Sequence, residues 1–311
     1  MIHLTEEESA RYAGHEIAFD AAHKALVAAS DPASKNFPVV LGHCSDPADR
    51  FTVKSGTGGP LAGLKVGSYF PGNDAIGQPR HNSLILIFDQ STGRIGATIE
   101  GGKLNGYRTA AADAVATDAL ARADASVLTL FGTGHQAFYE AEAVARTRDL
   151  DRLLVVGRST DKRDAFIARL RDAGLPAEAG DAEAACRAAD IVVTATTATG
   201  PLFDAAWIKP GTHVSSMGSD RTGKQELPPA LLRSARLFCD LPSQSRVIGE
   251  FQHAYPEAEI TAIGAVLSGD VRGRETADEI TVFDSSGIAL QDLYIAEAIL
   301  EAAGRSIGSD R

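Results

Sequence analysis

Apolar residues along the chain recur first at helical spacing, then at strand spacing, and then in a regular alternation of the two. Thr5-Glu6-Glu7-Glu8 has the form of a capping box. The alanine-rich segment after it predicts a helix to about Ser30, ended by Pro32 and a turn-rich stretch. Period-two patterning then predicts strands at Phe51–Ser55, Leu64–Phe70, Leu84–Phe88 and Ile95–Ile99, the last two joined by the hairpin-type turn Asp89-Gln90-Ser91-Thr92-Gly93. Together these suggest a mixed sheet with one or two helices. After Gly106 the pattern changes. A helix over Tyr107–Arg122 leads to a strand at Ser126–Phe131, a helix at Gln136–Arg146, a strand at Leu153–Gly157 and a helix at Asp161–Ala173. Further strands are expected at Ile191–Ala195, His213–Ser216 and Leu237–Asp240. Such alternation predicts an α/β fold with a Rossmann-type, doubly wound parallel sheet. A last helix, about Ile288–Ala303, falls outside the alternation and is expected to complete the first domain. The expected organisation is residues 1–115 with 288–311 as one domain, and 116–287 as the parallel-sheet domain.

Composition narrows the functional classes. The 311 residues are 44% hydrophobic and 23% charged, which suits an ordinary folded protein. No apolar run reaches the roughly 18 residues needed to cross a bilayer. The acidic start Met1-Ile2-His3-Leu4-Thr5-Glu6 lacks the basic flank and apolar stretch of a secretory signal. A net charge of −11 argues against nucleic acid or an anionic membrane as the main partner, so an anionic ligand needs local positive charge. Cys44, Cys186 and Cys239 are too scattered for a zinc site or a disulfide framework. Reduced thiols in a cytoplasmic protein, with no metal, are therefore expected.

The chemistry starts at Gly132-Thr133-Gly134-His135-Gln136-Ala137, which directly follows a strand and opens a helix. This is the G-x-G-x-x-A form of the dinucleotide fingerprint. The first glycine permits a tight turn, the second lets backbone approach a pyrophosphate, and the small last residue lets helix pack on strand. The next strand ends Val155-Val156-Gly157-Arg158-Ser159. No carboxylate stands there to bind ribose hydroxyls, whereas Arg158 and Ser159, with Lys162 or Arg163 nearby, suit a 2′-phosphate. NADP(H) is thus the favoured cofactor. NAD(H) is the alternative, if Asp161 curls back to the ribose and Arg158 is simply solvated.

With these elements in place, the chain resembles the ornithine cyclodeaminase/μ-crystallin family over nearly its whole length. The resemblance rests on Gly63-Leu64-Lys65-Val66 with Pro71-Gly72-Asn73; Tyr107-Arg108-Thr109-Ala110-Ala111; Gly132-Thr133-Gly134-His135-Gln136; Met217-Gly218-Ser219-Asp220 running to Gly223-Lys224-Gln225-Glu226-Leu227; Gly249-Glu250; and Val282-Phe283-Asp284-Ser285-Ser286-Gly287. Asn36-Phe37-Pro38-Val39-Val40, His135 and Ile248-Gly249-Glu250-Phe251-Gln252-His253-Ala254 look closest to its imino-acid (ketimine/iminosuccinate) reductase branch. The resemblance implies a substrate and dimerisation domain beside a Rossmann domain, a homodimer, and a small imino- or amino-acid substrate.

Residue by residue, the resemblance puts Lys65 and Arg108 on the substrate carboxylate. An arginine fork and a lysine point charge together suit that task. The structural alternative is that Arg108 caps its helix and Lys65 is a solvated strand residue. Asp220 matches the catalytic aspartate; its alternative is to cap the turn before Lys224. Lys54 is a further candidate cation, weighed against plain solvent exposure, and His81 could orient substrate or be structural. Thr109, Thr196 and Met217 are implied cofactor contacts together with the glycine turn, and Ser285 is implied to touch the nicotinamide amide, with Asp284 as a turn former. The sequence departs from the cyclodeaminases after Pro38, where Val39-Val40 replace their arginine. The expected activity is therefore an NAD(P)H-dependent reductase of α-imino acids, reversible as an amino-acid dehydrogenase. An ornithine or lysine cyclodeaminase and a non-catalytic, crystallin-like NADPH binder are the alternatives.

Overall fold

A computed structural model describes residues Met1–Ile307. The chain divides into two compact units, Met1–Arg108 with the segment from Ile288 onward, and Thr109–Gly287. The division falls inside the helix Gly102–Leu120, ahead of the expected 115/116 boundary. Residues 308–311 of the expected first domain lie outside the described residues.

The first unit is built on one mixed sheet. Its strands are β1 (Ile2–Leu4), β2 (Lys35–Asn36), β3 (Val40–His43), β4 (Arg50–Gly58), β5 (Leu61–Tyr69), β6 (His81–Asp89) and β7 (Arg94–Glu100). Their order is β1-β7-β6-β5-β4-β2, with β3 also paired to β4. The four strands expected from period-two patterning are all present and longer than expected. The edge strands β1, β2 and β3 are too short to show a period and were not foreseen. Thr5 caps its helix with both halves of the capping box. The helix that follows is broken, however: Ala13 and Gly14 are extended, giving helices Glu6–Tyr12 and His15–Ser30 instead of one. Glycine is a poor helix former by about 1 kcal/mol, and here it begins the second helix.

Cross-strand pairing sorts this sheet into two unlike faces. Val40, Val53, Val66 and Leu84 are successive partners on one face. Lys54, Lys65, Ile85 and Ile99 are successive partners on the other, which the C-terminal helix Ala289–Ala302 covers. Gly63 makes that covering close: a Cβ there would lie 2.1 Å from the Leu86 carbonyl oxygen and 2.9 Å from Leu293 Cδ2.

The second unit is an eight-stranded, all-parallel sheet. Its strands are β8 (Val127–Phe131), β9 (Arg152–Val156), β10 (Ala177–Ala179), β11 (Ile191–Thr194), β12 (His213–Ser216), β13 (Arg236–Cys239), β14 (Ile260–Ala262) and β15 (Thr281–Asp284). The order β10-β9-β8-β11-β12-β15-β13-β14 reverses between β8 and β11. That reversal is the switch point at which doubly wound sheets bind ligands. Three-residue β10 and β14 escaped the sequence reading because they are too short to carry a period, and four-residue β15 was not expected either. Phe131, Val192, Phe203, Val214, Leu231, Phe251 and Val282 belong to one core cluster of this unit.

Several carboxyl groups are buried in the same unit, Asp113 and Glu140 among them. Asp113 accepts from Thr117 Oγ1 at 3.2 Å, and Glu140 accepts from Gln136 Nε2 at 2.8 Å. Burial pushes Asp113 up to about 6, against hydrogen bonds from Ser215, Glu140 and Thr117. Burial likewise raises Glu226 and Asp284. The folded chain therefore holds protons that the unfolded chain has released. For Asp113 the stabilisation is complete below about pH 4 and is lost as pH rises through about 6. The melting temperature is expected to fall between pH 5 and 8, and Asp113→Asn should flatten part of that fall. An unaltered slope in that variant, measured by thermal denaturation across pH, would contradict the assignment.

Candidate functional site

Lys54 and Lys65 stand directly opposite each other on β4 and β5, on the face under the C-terminal helix. With Arg108 they are buried, at 8%, 4% and 7% exposure. Desolvating an ion costs several kcal/mol, so charge here demands a partner. Asp292 supplies it. Lys65 Nζ donates to Asp292 Oδ1 at 2.9 Å and to Asn105 Oδ1 at 3.0 Å. Arg108 Nε lies 3.0 Å from the same Asp292 oxygen. Its Nη1 donates to Gln291 Oε1 at 3.2 Å and its Nη2 to Asn105 Oδ1 at 2.7 Å. Burial, and then the Arg108 charge, push Lys65 down to about 7 despite Asp292. Burial would raise Asp292, but Arg108, Lys65 and Lys54 outweigh it and hold the carboxyl below its usual range. Lys65 is thus no solvated strand residue, Arg108 is tied to Asp292 and Gln291 rather than to its own helix end, and Lys54 is not solvent-exposed. His81 is exposed and lies on the same face, four strand positions from Ile85; its ring centroid is 4.7 Å from that of Tyr69.

In the second unit, the glycine turn leaves β8 at the switch point. Gly132 has φ +128°, and a Cβ on it would lie 2.6 Å from the Ala195 carbonyl oxygen. Only glycine fits there without displacing backbone. A Cβ on Gly134 would meet nothing within 4 Å, so the backbone at Gly134 is open to a ligand. Ala137 is fully buried, as the small position of the fingerprint requires. Thr133 follows Gly132 in the turn, and His135 and Gln136 begin the helix His135–Val144, whose first amides complete an anion cradle. Burial, helped by the Arg169 charge, lowers the His135 pKa and favours its neutral form. These residues fit the pyrophosphate of a dinucleotide. Beyond β9, Arg158 is exposed and Ser159 caps the next helix, accepting from Lys162 N at 3.4 Å. Capping uses only an oxygen lone pair, so the Ser159 hydroxyl can still donate.

Asp220 lies on the loop after β12. Its side chain is 58% exposed and 2.7 Å from Lys224 Nζ. The loop is anchored by buried carboxylates. Glu226 accepts from Thr194 Oγ1, from Thr196 N and Oγ1, and from Gly218 N, at 2.7–2.9 Å. Glu250 accepts from Leu227 N at 2.8 Å and Ser219 Oγ at 2.5 Å. Met217 is buried and donates its amide to Thr194 O at 2.8 Å. Thr109 is half-buried on the helix Gly102–Leu120. Ser285 is buried, and its hydroxyl donates to Asp240 Oδ2 at 3.2 Å. Asp284 is not a simple turn former; it accepts from Glu250 N at 3.0 Å and from the Ser245 hydroxyl.

Asp292, Asn105 and Gln291 were missed from the sequence. The signal for Asp292 was a polar pair, Gln291-Asp292, inside the otherwise apolar run Ile288–Ile295. A carboxylate at a core-facing position of a helix implies a cation to receive it. Among the described residues no group of three or more His, Cys, Asp or Glu is placed to hold a metal ion, and no helix is long and apolar enough to cross a membrane.

Fold and glycine turn define a Rossmann-type protein with an appended mixed-sheet unit. The ornithine cyclodeaminase/mu-crystallin family model matches residues 15–306, and the chain belongs to that family. Iminosuccinate reductase of Paracoccus denitrificans is 36% identical over 97% of this chain and 97% of its own length. The crystal structure of that reductase with NAD+ superposes with a TM-score of 0.89, covering 98% and 96% of the two chains. An archaeal alanine dehydrogenase dimer with bound NAD is 30% identical with a TM-score of 0.90, covering 97% and 96%. A Delta(1)-pyrroline-2-carboxylate reductase of Bacillus cereus is 35% identical over 79% of each chain.

Gly132→Ala is expected to weaken NADH and NADPH binding by at least about tenfold, since both the backbone conformation and the space demand glycine. Fluorescence titration of either nucleotide reads this directly. Wild-type affinity in a folded variant would show that the turn does not form the cradle.

Proposed function

We propose that this protein is an NAD(P)H-dependent reductase of small α-imino acids of the ketimine, pyrroline-2-carboxylate or iminosuccinate type. It yields L-amino acids and runs in reverse as an amino-acid dehydrogenase. The burial of Lys65 and Arg108 supports this most directly: two desolvated cations on a glycine-lined sheet face suit a carboxylate better than they suit packing. The names of the family members above, an iminosuccinate reductase, a pyrroline-2-carboxylate reductase and an alanine dehydrogenase, agree with that chemistry.

In this proposal Lys65 and Arg108 bind and orient the α-carboxylate, with Lys54 adding positive charge and His81 a lesser contact. Fixing the reacting carbon in this way is worth several kcal/mol of barrier. When bound, the reduced nicotinamide supplies the hydride. Asp220 stabilises the protonated imine nitrogen and holds its proton; the exposure of its carboxylate leaves it accessible to substrate. The cofactor is held by Gly132, Thr133, Gly134, His135 and Gln136, with Thr109, Thr196, Met217 and Ser285 as further contacts. Arg158 and Ser159 favour NADP(H), because no carboxylate ends β9 and an exposed guanidinium does follow it. NAD(H) is the alternative that the two NAD-bound family structures keep open.

A homodimer is part of the same proposal. Val40, Val66 and Leu84 are 56%, 40% and 39% exposed on the uncovered face of the first sheet, in one cross-strand row with Val53. Such a row calls for a covering partner, and a second copy offers the same row. Three free thiols agree with a cytoplasmic location.

Turnover assays, cofactor and substrate KM values, and kcat of variants test the proposal. NADPH and NADH oxidation with Δ1-pyrroline-2-carboxylate, or with keto acids plus ammonia or methylamine, should show turnover; ammonia release with only catalytic cofactor would instead indicate a cyclodeaminase. Arg158→Ala should raise KM for NADPH about tenfold and spare NADH, and equal effects on both would remove its role. Lys65 is charged below about pH 7, so KM should climb as pH rises through 7 to 9. Lys65→Ala should raise KM by about 10–100-fold, and Asp220→Asn should lower kcat by about 10²-fold or more while keeping NADPH affinity. Flat KM profiles or near-normal kcat would sink the respective assignment.

A further inference from the structure

We propose that Asp292 is a positioning residue of the carboxylate site, holding the Lys65 ammonium and the Arg108 guanidinium side by side through one shared oxygen. This rests on the proposed role of Lys65 and Arg108 in binding substrate.

The geometry is specific. Asp292 Oδ1 lies 2.9 Å from Lys65 Nζ and 3.0 Å from Arg108 Nε. Asn105 Oδ1 bridges the same two cations, at 3.0 Å and 2.7 Å. Two like charges drawn this close repel strongly in a desolvated setting, and a bridging anion is what lets them stay charged together. The charged groups acting on Lys65 come from every side of the cluster: Lys54 on β4, Arg108 on the helix Gly102–Leu120, and Asp292 on the C-terminal helix. Neighbouring β6 and β7 present only Ile85 and Ile99 in that row. One carboxylate thus serves three cations, so the cluster keeps positive charge for an incoming anion instead of being neutralised. Asp292 Oδ2 accepts no hydrogen bond among the described residues, so the interaction is concentrated on one oxygen. A carboxylate that merely filled the substrate's place would compete with substrate. One that positions the cations improves substrate binding, and the two roles predict opposite signs.

The test measures binding of pyrrole-2-carboxylate, a planar carboxylate probe, to the NADP+-saturated protein by calorimetry across pH. It compares wild type, Asp292→Asn, Asp292→Glu and Lys65→Ala, with NADPH titration confirming that each variant is folded. Asp292→Asn is expected to weaken the probe by about tenfold. It should also move the pH at which affinity is lost below the wild-type value, because without the anion Lys65 gives up its proton more readily. Asp292→Glu should restore most of the affinity and the pH dependence, and it carries the test if the asparagine variant does not fold. Tighter binding in Asp292→Asn, or unchanged affinity with an unchanged pH profile, overturns the proposal. If Lys65→Ala weakens the probe while Asp292→Asn does not, only the Asp292 role is lost. If Lys65→Ala is also without effect, the carboxylate site itself is wrong.

Discussion

Lys65, Arg108 and Asp292 are drawn out of water together on the covered face of the first sheet, and none of the three is tolerable there without the others. Ion burial costs several kcal/mol per group, which apolar packing alone would not repay. The surroundings are arranged around that constraint. Gly63 lets the C-terminal helix lie against β5. Asn105 and Gln291 accept further hydrogen bonds from the two cations. The sheet register sets Lys54 beside Lys65, which keeps the cluster rich in positive charge within a chain of net charge −11. A local field of the opposite sign to the global one is what an anionic substrate requires.

The second unit solves a different problem with the same chemistry. Parallel strands end in loops whose backbone amides need acceptors, and buried acids provide them. Glu226, Glu250, Asp240 and Asp284 each accept from backbone amides or hydroxyls near the carboxyl ends of β11, β12, β13 and β15. Loops bearing Asp220 and Ser285 are thereby held by several hydrogen bonds to buried acids instead of by packing alone. Burial raises Glu226 and Asp284, so the same groups that hold the loops also make stability pH-dependent.

Much of this was legible from residue order. Period-two runs located β4 to β7, and alternation located β8, β9, β11, β12 and β13, because each carries an apolar run at strand spacing or in step with its neighbouring helices. The turn at Gly132 was legible because its conformation admits glycine and little else. Lys65, Arg108 and Asp220 were marked by family resemblance, not by periodicity. The short strands β1, β2, β3, β10, β14 and β15 were not placed by it, and the break at Ala13-Gly14 was hidden inside a continuous helical pattern.

Residue order determined what is local: where the chain extends or coils, which turn needs glycine, and which segments carry charge. Tertiary structure alone decided which charges meet. Asp292 is separated from Lys65 by 227 positions, and nothing in the pattern of either segment encodes the other. Their pairing follows from one helix closing over one face of a sheet. Burial then turns a lysine, an arginine and an aspartate, unremarkable in water, into one electrostatic unit whose members depend on each other.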